Sequence, residues 1–251
     1  MIAGVIFDLG STLIHFDGDW ASIFEESVHA LALQLAADGL TIDPAAFRGA
    51  FRIEVESSQH LRQQDHLERT SDSVLRRTLE ALGHPAVDGS LIARALACMF
   101  AVSEARWDSM PGLHPMLAAL RAQGYRLGLI SNASDEANVL RLLARAGLQG
   151  TFDPQLISAA EGVRKPTLSL FQRVLSAWKL PPEAVVMVGD TLGEDILGAQ
   201  RAGLRSIWFT ADADTPANRA LEGSLRPDAA TDDLLALPDL IRSLDGAGPP
   251  R

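Results

Sequence analysis

Four polar stretches of this chain carry residue types that can together handle an anion and a hard cation. The first is Asp8, which ends the apolar run Ile2 to Phe7 and precedes the turn-forming Gly10-Ser11-Thr12. A carboxylate at the end of a strand buried on both faces stands where open α/β sheets bind ligands; capping a helix or turn is the plainer use. The second is Ser131-Asn132, after the run Leu127 to Ile130. A hydroxyl and an amide ahead of a helix N-terminus suit phosphate oxygens, and would equally cap that helix. The third is Lys165, within Glu161-Gly162-Val163-Arg164-Lys165-Pro166. The only other lysine is Lys179 in a chain that otherwise uses arginine, so a compact ammonium is wanted at 165, unless it is simply a solvated surface group. The fourth runs from Gly189-Asp190 to Glu194-Asp195. A helix dipole alone would account for Glu194 and Asp195, but not for Asp190. Asp8 and Asp190 on one sheet edge repel each other unless a cation binds, and a few hard oxygens with room for water and phosphate describe a Mg²⁺ site.

The elements that must position these residues follow from periodicity. From Pro111 onward helices alternate with short apolar strands: strands are expected at 125–131, 154–158, 184–188 and 205–209, and helices at 114–122, 134–146, 167–178, 194–202 and 231–244. That alternation predicts βαβ units and a Rossmann-like parallel sheet with helices on both faces. Residues 16–111 read differently. Apolar spacing predicts helices over 20–38, 44–56, 71–82 and 89–102, a polar segment over 57–70, and no strand. The expected organisation is an α/β core of residues 1–16 and 111–244, an all-helical cap of residues 17–110, and a disordered tail of residues 245–251.

Composition narrows the function class. The chain has 251 residues, a net charge of −10 and a single cysteine, Cys98. An acidic balance argues against a general nucleic-acid binder. No apolar run approaches the ~20 residues of a membrane span, and no basic region precedes the first apolar run, so the start reads as a strand and not a signal peptide. One cysteine excludes an internal disulfide and fits a reducing compartment, so a cytoplasmic location is expected, with no membrane or nucleic-acid partner.

The set D-x-x-x-T from Asp8 to Thr12, then Ser131-Asn132, Lys165-Pro166 and Gly189-Asp190 through Asp195, resembles the haloacid dehalogenase superfamily in motif, order and placement at strand ends. The resemblance implies a hydrolase of small phosphorylated metabolites in which Asp8 attacks phosphorus and becomes an aspartyl phosphate. It implies Mg²⁺ on Asp8, the Gly10 carbonyl, Asp190 and Asp195, a phosphate site at Ser131, Asn132 and Lys165, and Thr12 steadying the first loop. Lys165 would bridge Asp8 and the phosphate.

One position departs from the pattern. The phosphatases of this superfamily usually carry a second aspartate two residues after the first, and here that residue is Gly10. The acid that protonates the leaving group is thereby missing, a contribution of roughly 10²–10⁴-fold. Three outcomes are open: slow turnover, turnover limited to good leaving groups, or assistance from a cap residue, with His15 and Asp17 as nearby substitutes to consider. Two alternatives remain: a metal-independent 2-haloacid dehalogenase-like hydrolase, which would not need Asp190, and a phosphate-binding regulatory protein with little turnover. His60, His66, Arg62, Arg69, Arg76 and Arg77 are candidate substrate contacts in the cap, with a solvated helix face as the plainer reading of each. The oligomeric state is not legible.

Overall fold

The computed structural model describes residues 1–245. The alternating segments build a six-stranded sheet from β1 (Gly4–Phe7), β4 (Arg126–Ser131), β5 (Gln155–Ile157), β6 (Val185–Gly189), β7 (Arg205–Phe209) and β8 (Ala229–Thr231), every pairing parallel. Its order is β5-β4-β1-β6-β7-β8. Counted by these six strands alone, that is the 3-2-1-4-5-6 order of doubly wound Rossmann folds, with the switch point between β1 and β6. β1 therefore lies at the centre, where its four residues are all buried.

Side chains alternate across the sheet as strand geometry demands. Val5 and Phe7 face the cluster made with α5 (Leu113–Ala122), α6 (Glu136–Arg145) and α11 (Leu237–Leu244). Ile6 faces the opposite cluster, with α8 (Leu168–Trp178) and α9 (Leu197–Arg201). On that second face Trp178 lies so close to Gly4 and Gly128 that a Cβ at either would come within 3.0 Å of the indole. Two short helices lie in connections after strands: α7 (Ser158–Glu161) between β5 and α8, and α10 (Pro216–Leu221) between β7 and β8.

Four helices between the first strand and the rest pack on one another: α1 (Trp20–Ala37), α2 (Pro44–Asp65), α3 (Ser71–Ala81) and α4 (Gly89–Glu104). They enclose a separate apolar cluster that includes Leu31, Leu35, Phe47, Phe51, Leu75 and Ile92. Each starts on a side-chain cap, from Asp19, Asp43, Thr70 and Asp88 respectively, which satisfies a first-turn N–H. Cys98 of α4 is half-buried and donates to Gln34 of α1.

Several expectations need correction. Residues 16–111 do contain strand: β2 (Ile14–Phe16) pairs antiparallel with β3 (Trp107–Ser109), where the chain leaves the sheet and returns to it. Each is three residues long and makes sense only beside the other. The second helix does not stop near residue 56 but runs to Asp65, because Gln, Leu and Arg sustain a helix and buried Ser58 takes a bond from Arg77 of α3. The final helix expected over 231–244 begins at Leu237, after strand β8 and a 3₁₀ turn (Leu234–Ala236). The segment 194–202 opens with a π-helical turn, Leu192–Ile196. Asp245, placed with the tail, accepts a hydrogen bond from the backbone of Ile2; residues 246–251 of that expected tail lie outside the described residues. Among the described residues, no helix is long and apolar enough to cross a membrane.

Candidate active site

Register brings the four polar stretches together. Phe7 of β1 pairs with Leu129 of β4 and Val188 of β6. Asp8 is thus one step, and Ser131 and Asp190 two steps, beyond a shared row at the C-terminal edge of the sheet. The apolar strands lock that register, because a one-residue slip would turn their buried side chains to the wrong face.

Asp8, Asp190 and Asp195 each offer an oxygen within 4.8 Å of the others. Lys165 is 1% exposed and reaches between them, with Nζ donating to Asp8 and lying 2.7 Å from Asp195 Oδ1. Three carboxylates so meet a single ammonium in a nearly water-free place. Asp195 folds back on its own turn, accepting from the Thr191 backbone N–H at 3.0 Å. It can do so only because residue 189 is glycine, since a Cβ there would stand 2.3 Å from Asp195 Cγ. Thr12, fully buried, donates to Asp190 Oδ1 at 3.4 Å from a turn in which Ser11 takes a left-handed φ of 55°. Such a backbone conformation in a serine costs about 1–2 kcal/mol and is typical of functional turns.

The missing positive charge appears in the protonation equilibria. Burial, then the neighbouring Asp8 and Asp195 charges, push Asp190 up to about 8. Burial pushes Asp195 up to about 7 although Lys165 works in the other direction. Asp8 is likewise raised, by burial above all, with Lys165 opposing. Burial disfavours the Lys165 ammonium, yet Asp195 and Asp8 more than offset this and hold its pKa above the ordinary lysine range. Asp195 Oδ1 is buried and meets the Lys165 ammonium at 2.7 Å, with no further donor in hydrogen-bond geometry among the described residues. Three clustered carboxylates that resist ionisation and lie around one ammonium are the chemistry of a site for a divalent cation.

The supporting contacts separate the two uses considered for Ser131 and Asn132. Neither caps α6; that work is done by Asp135, which accepts from the Asn138 backbone. Ser131 is buried at the strand end. The Asn132 side chain clamps the backbone of Lys165, accepting from its N–H at 2.8 Å and donating to its carbonyl at 3.1 Å, and it donates to Glu194 at 2.8 Å. Its amide is therefore committed to holding the lysine. The Gly10 backbone sits in a bridge to Ile14, and a Cβ at Gly10 would meet the Trp107 ring at 3.4 Å.

Three contributors escaped the sequence reading. Asn218 of α10, 2% exposed, donates to the Asp190 carbonyl at 2.8 Å and accepts from the Leu192 N–H at 2.8 Å. Trp208 Nε1 donates to the same Asp190 carbonyl at 2.8 Å. Glu68, in the loop between α2 and α3, is wholly buried between Arg62 at 3.2 Å and Arg164 at 3.0 Å. A Thr-Pro-x-Asn start to α10 was the one available signal for Asn218; nothing local marked Glu68. Of the cap candidates, Arg69 pairs with Asp65, Arg76 with Asp72, Arg77 with Glu54, and His60 with Gln64. His66 ends α2 in a left-handed conformation and accepts from the Arg164 N–H through its carbonyl.

Comparison with known proteins agrees with this geometry. The chain is 28% identical over 244 residues, 96% of its length and 100% of the other's, to a glyceraldehyde 3-phosphate phosphatase of Methanothermobacter thermautotrophicus. It is 36% identical over 100 residues to the protein of that name from Pyrococcus furiosus, a match spanning 40% of this chain and only 41% of that one. Among solved structures it resembles a 2-haloacid dehalogenase from Pseudomonas syringae pv. Tomato DC3000, with TM-score 0.70, 25% identity, and 97% and 99% of the two chains covered. Residues 2–203 match the family of haloacid dehalogenase-like hydrolases, and the chain belongs to that family, as a hydrolase.

Proposed function

We propose that the chain is a Mg²⁺-dependent hydrolase of small phosphomonoesters, with Asp8 as nucleophile and the four-helix segment as a cap over the site. The observation that carries this reading is the set of three buried carboxylates around Lys165 at the switch point of the sheet. Asp8, Asp190, Asp195 and the Gly10 carbonyl would hold the metal. A divalent cation bound there would supply positive charge against the carboxylates and the phosphoryl oxygens, allowing Asp8 and Asp190 to ionise near neutral pH.

The chain's own residues account for the remaining work. Lys165 neutralises Asp8 and a phosphoryl oxygen together, Ser131 and the Asn132 N–H hold the other oxygens, and Thr12 fixes Asp190. Asp8 forms a bond to phosphorus while the ester bond breaks with its electron pair on the departing oxygen. Water then hydrolyses the acyl phosphate, releasing inorganic phosphate and restoring Asp8. The similarity to phosphatases named for glyceraldehyde 3-phosphate supports a small phosphorylated substrate.

A second reading has its own observation. Gly10 lacks the acid that a phosphatase of this type carries, and the resemblance to a 2-haloacid dehalogenase extends over 97% of the chain. Halide displacement by Asp8 would need no metal, and so gives no use for Asp190. Phosphate release from a panel of phosphomonoesters and acetyl phosphate, with Mg²⁺ or chelator, for wild type and Asp8→Asn separates the two. Metal-dependent release that vanishes in the variant supports the phosphatase. Silence on every phosphate, with chloride released from a 2-haloacid, supports the alternative, and silence on both leaves a phosphate-binding regulator.

A further inference from the structure

The residue two positions after Asp8 faces an aromatic ring and carries no acid. Gly10 stands at the position of the absent acid, and its nearest side chain is the Trp107 indole, 3.4 Å from where a Cβ would lie. Trp107 continues into an aromatic wall. Phe16 meets it edge-on at 5.3 Å between ring centroids, and Trp20 meets Phe16 edge-on at 5.0 Å. Trp20 is 56% exposed, an unusual setting for a tryptophan. It borders a cavity of about 160 Å³ among α1, α2, α3 and α4, lined by Phe24, Phe51, Val55 and Phe100 and also by the polar Gln59, Arg62 and Arg69. The cavity's far wall includes Ser134, three residues beyond Ser131 and bonded to Ser71 at 2.9 Å. A cavity of ~150 Å³ is enough for one benzene ring, and the aromatic side chains give this one a largely apolar lining.

The chemistry at Gly10 leads to the same class of molecule. Without an acid, the departing oxygen leaves as an anion, and the rate follows the stability of that anion. A phenolate, with a conjugate acid near pKa ~10 as in tyrosine, leaves far more readily than an alkoxide, whose conjugate acid is about as weak as water at ~15.7. We propose that the substrates are aryl phosphates, monoesters of a phenolic hydroxyl whose ring lies along the Trp107–Phe16–Trp20 wall with its apolar end in the cavity. This deepens the phosphatase reading and rests on it. Asp8 takes phosphorus, the aryl oxygen departs with the bonding pair as phenolate, solvent protonates it, and water returns phosphate and free Asp8.

Four phosphates separate ring from leaving group: phenyl phosphate has both, benzyl phosphate only the ring, acetyl phosphate only the leaving group, and glycerol phosphate neither. With Mg²⁺ and the full chain, phenyl phosphate should have the highest kcat/KM. Benzyl phosphate should match its KM with kcat lower by roughly 10²-fold or more, and acetyl phosphate should turn over quickly with a higher KM. Ser27 of α1 lines the cavity, and narrowing it with Ser27→Leu should lower kcat/KM for 2-naphthyl phosphate at least tenfold more than for acetyl phosphate. Benzyl or glycerol phosphate equal to phenyl phosphate in kcat/KM would overturn the proposal, as would an equal effect of Ser27→Leu on both probes. If no phosphate is released from any of the four, the phosphatase reading itself fails, a different result from loss of ring preference.

Discussion

Arg164 and Lys165 are neighbours in sequence, yet they enter two buried ionic clusters of opposite character. Arg164 joins the cluster around Glu68, whose carboxylate receives Arg62, Arg164, the Ser158 hydroxyl at 2.5 Å and the Arg69 N–H at 2.9 Å. One anion there faces two guanidiniums and further donors, and every lone pair in reach is used. Lys165 joins the cluster of Asp8, Asp190 and Asp195, where three anions face one ammonium. The first arrangement is complete in itself. It fastens the α2–α3 loop to the sheet beside a backbone bridge from Leu67 to Val163 and the Glu68 N–H bonded to the Gly162 carbonyl at 2.9 Å. The second is short of positive charge, which makes it receptive to a cation. Burial of acids alone would not distinguish a fastening from a binding site; the charge deficit does.

Removing one acid from each cluster is the sharpest test. Asp8→Asn should abolish phosphate release, by at least ~10³-fold, while raising thermal stability in chelator because one of three crowded carboxylates becomes neutral. Glu68→Ala should have the opposite balance. It leaves Arg62 and Arg164 buried without their shared partner, at a cost of about 3–5 kcal/mol in chemical denaturation. If Asp8→Asn destabilised the chelated protein and Glu68→Ala did not, the contrast between the clusters would be wrong.

A smaller effect lies in the pH dependence of the metal-free protein. Asp190 and Asp195 sit near 8 and 7, against 3.8 for an ordinary aspartate, and Asp8 is shifted the same way. Between about pH 4 and 8 the folded chain thus holds more protons than the unfolded one, and stability must fall as pH rises through that window. The surface aspartates with lowered values, Asp65 beside Arg69 and Asp214 beside Arg219, act in the opposite sense only at more acidic pH. Melting temperature in chelator should decline from pH 5 to pH 8, and saturating Mg²⁺ should flatten the decline by binding the ionised form. A flat profile in chelator would mean that the carboxylates are not crowded as described.

The two clusters also differ in how far the sequence discloses them. Asp8, Ser131 and Asp190 each follow an apolar strand, and Lys165 is rare in its own chain, so local composition marks all four and sheet order does the rest. Asp195 by itself reads as an acid at a helix start, and only the resemblance of Gly189-Asp190 through Asp195 to the family motif marks it. Glu68 sits in a polar run, His66-Leu67-Glu68-Arg69-Thr70, that looks like any solvated loop, and its burial depends on Arg164 and Ser158 far along the chain. The same limit hid the β2–β3 pair, whose Ile-His-Phe and Trp-Asp-Ser segments carry no strand pattern of their own. It also hid Asn218, carried on a helix of six residues. What periodicity conveys is the side chain's relation to its own element; contacts made between distant elements have no local signature.

Glu194 connects the two clusters, and so offers the finest test of their independence. Its carboxylate accepts from Asn132 of the Lys165 clamp at 2.8 Å and lies 3.4 Å from Arg164 of the Glu68 group. At 35% side-chain exposure it is the wettest acid of the region, so its ion pair with Arg164 is screened and worth at most about 1 kcal/mol. Glu194→Gln keeps an oxygen for the Asn132 amide and removes only the charge. It should cost less than about 1 kcal/mol, and should ease Asp8 slightly toward ionisation, since the Glu194 charge is among those raising it. Because both acids pair with Arg164, Glu194→Gln should cost more once Glu68 is gone, a coupling of about 0.5–3 kcal/mol; simple additivity would mean that the clusters are independent. Coupling means that Arg164 transmits between the clusters. The fastening of the α2–α3 loop would then act on Lys165 through Glu194 and Asn132, and Glu68→Ala would lower kcat as well as stability.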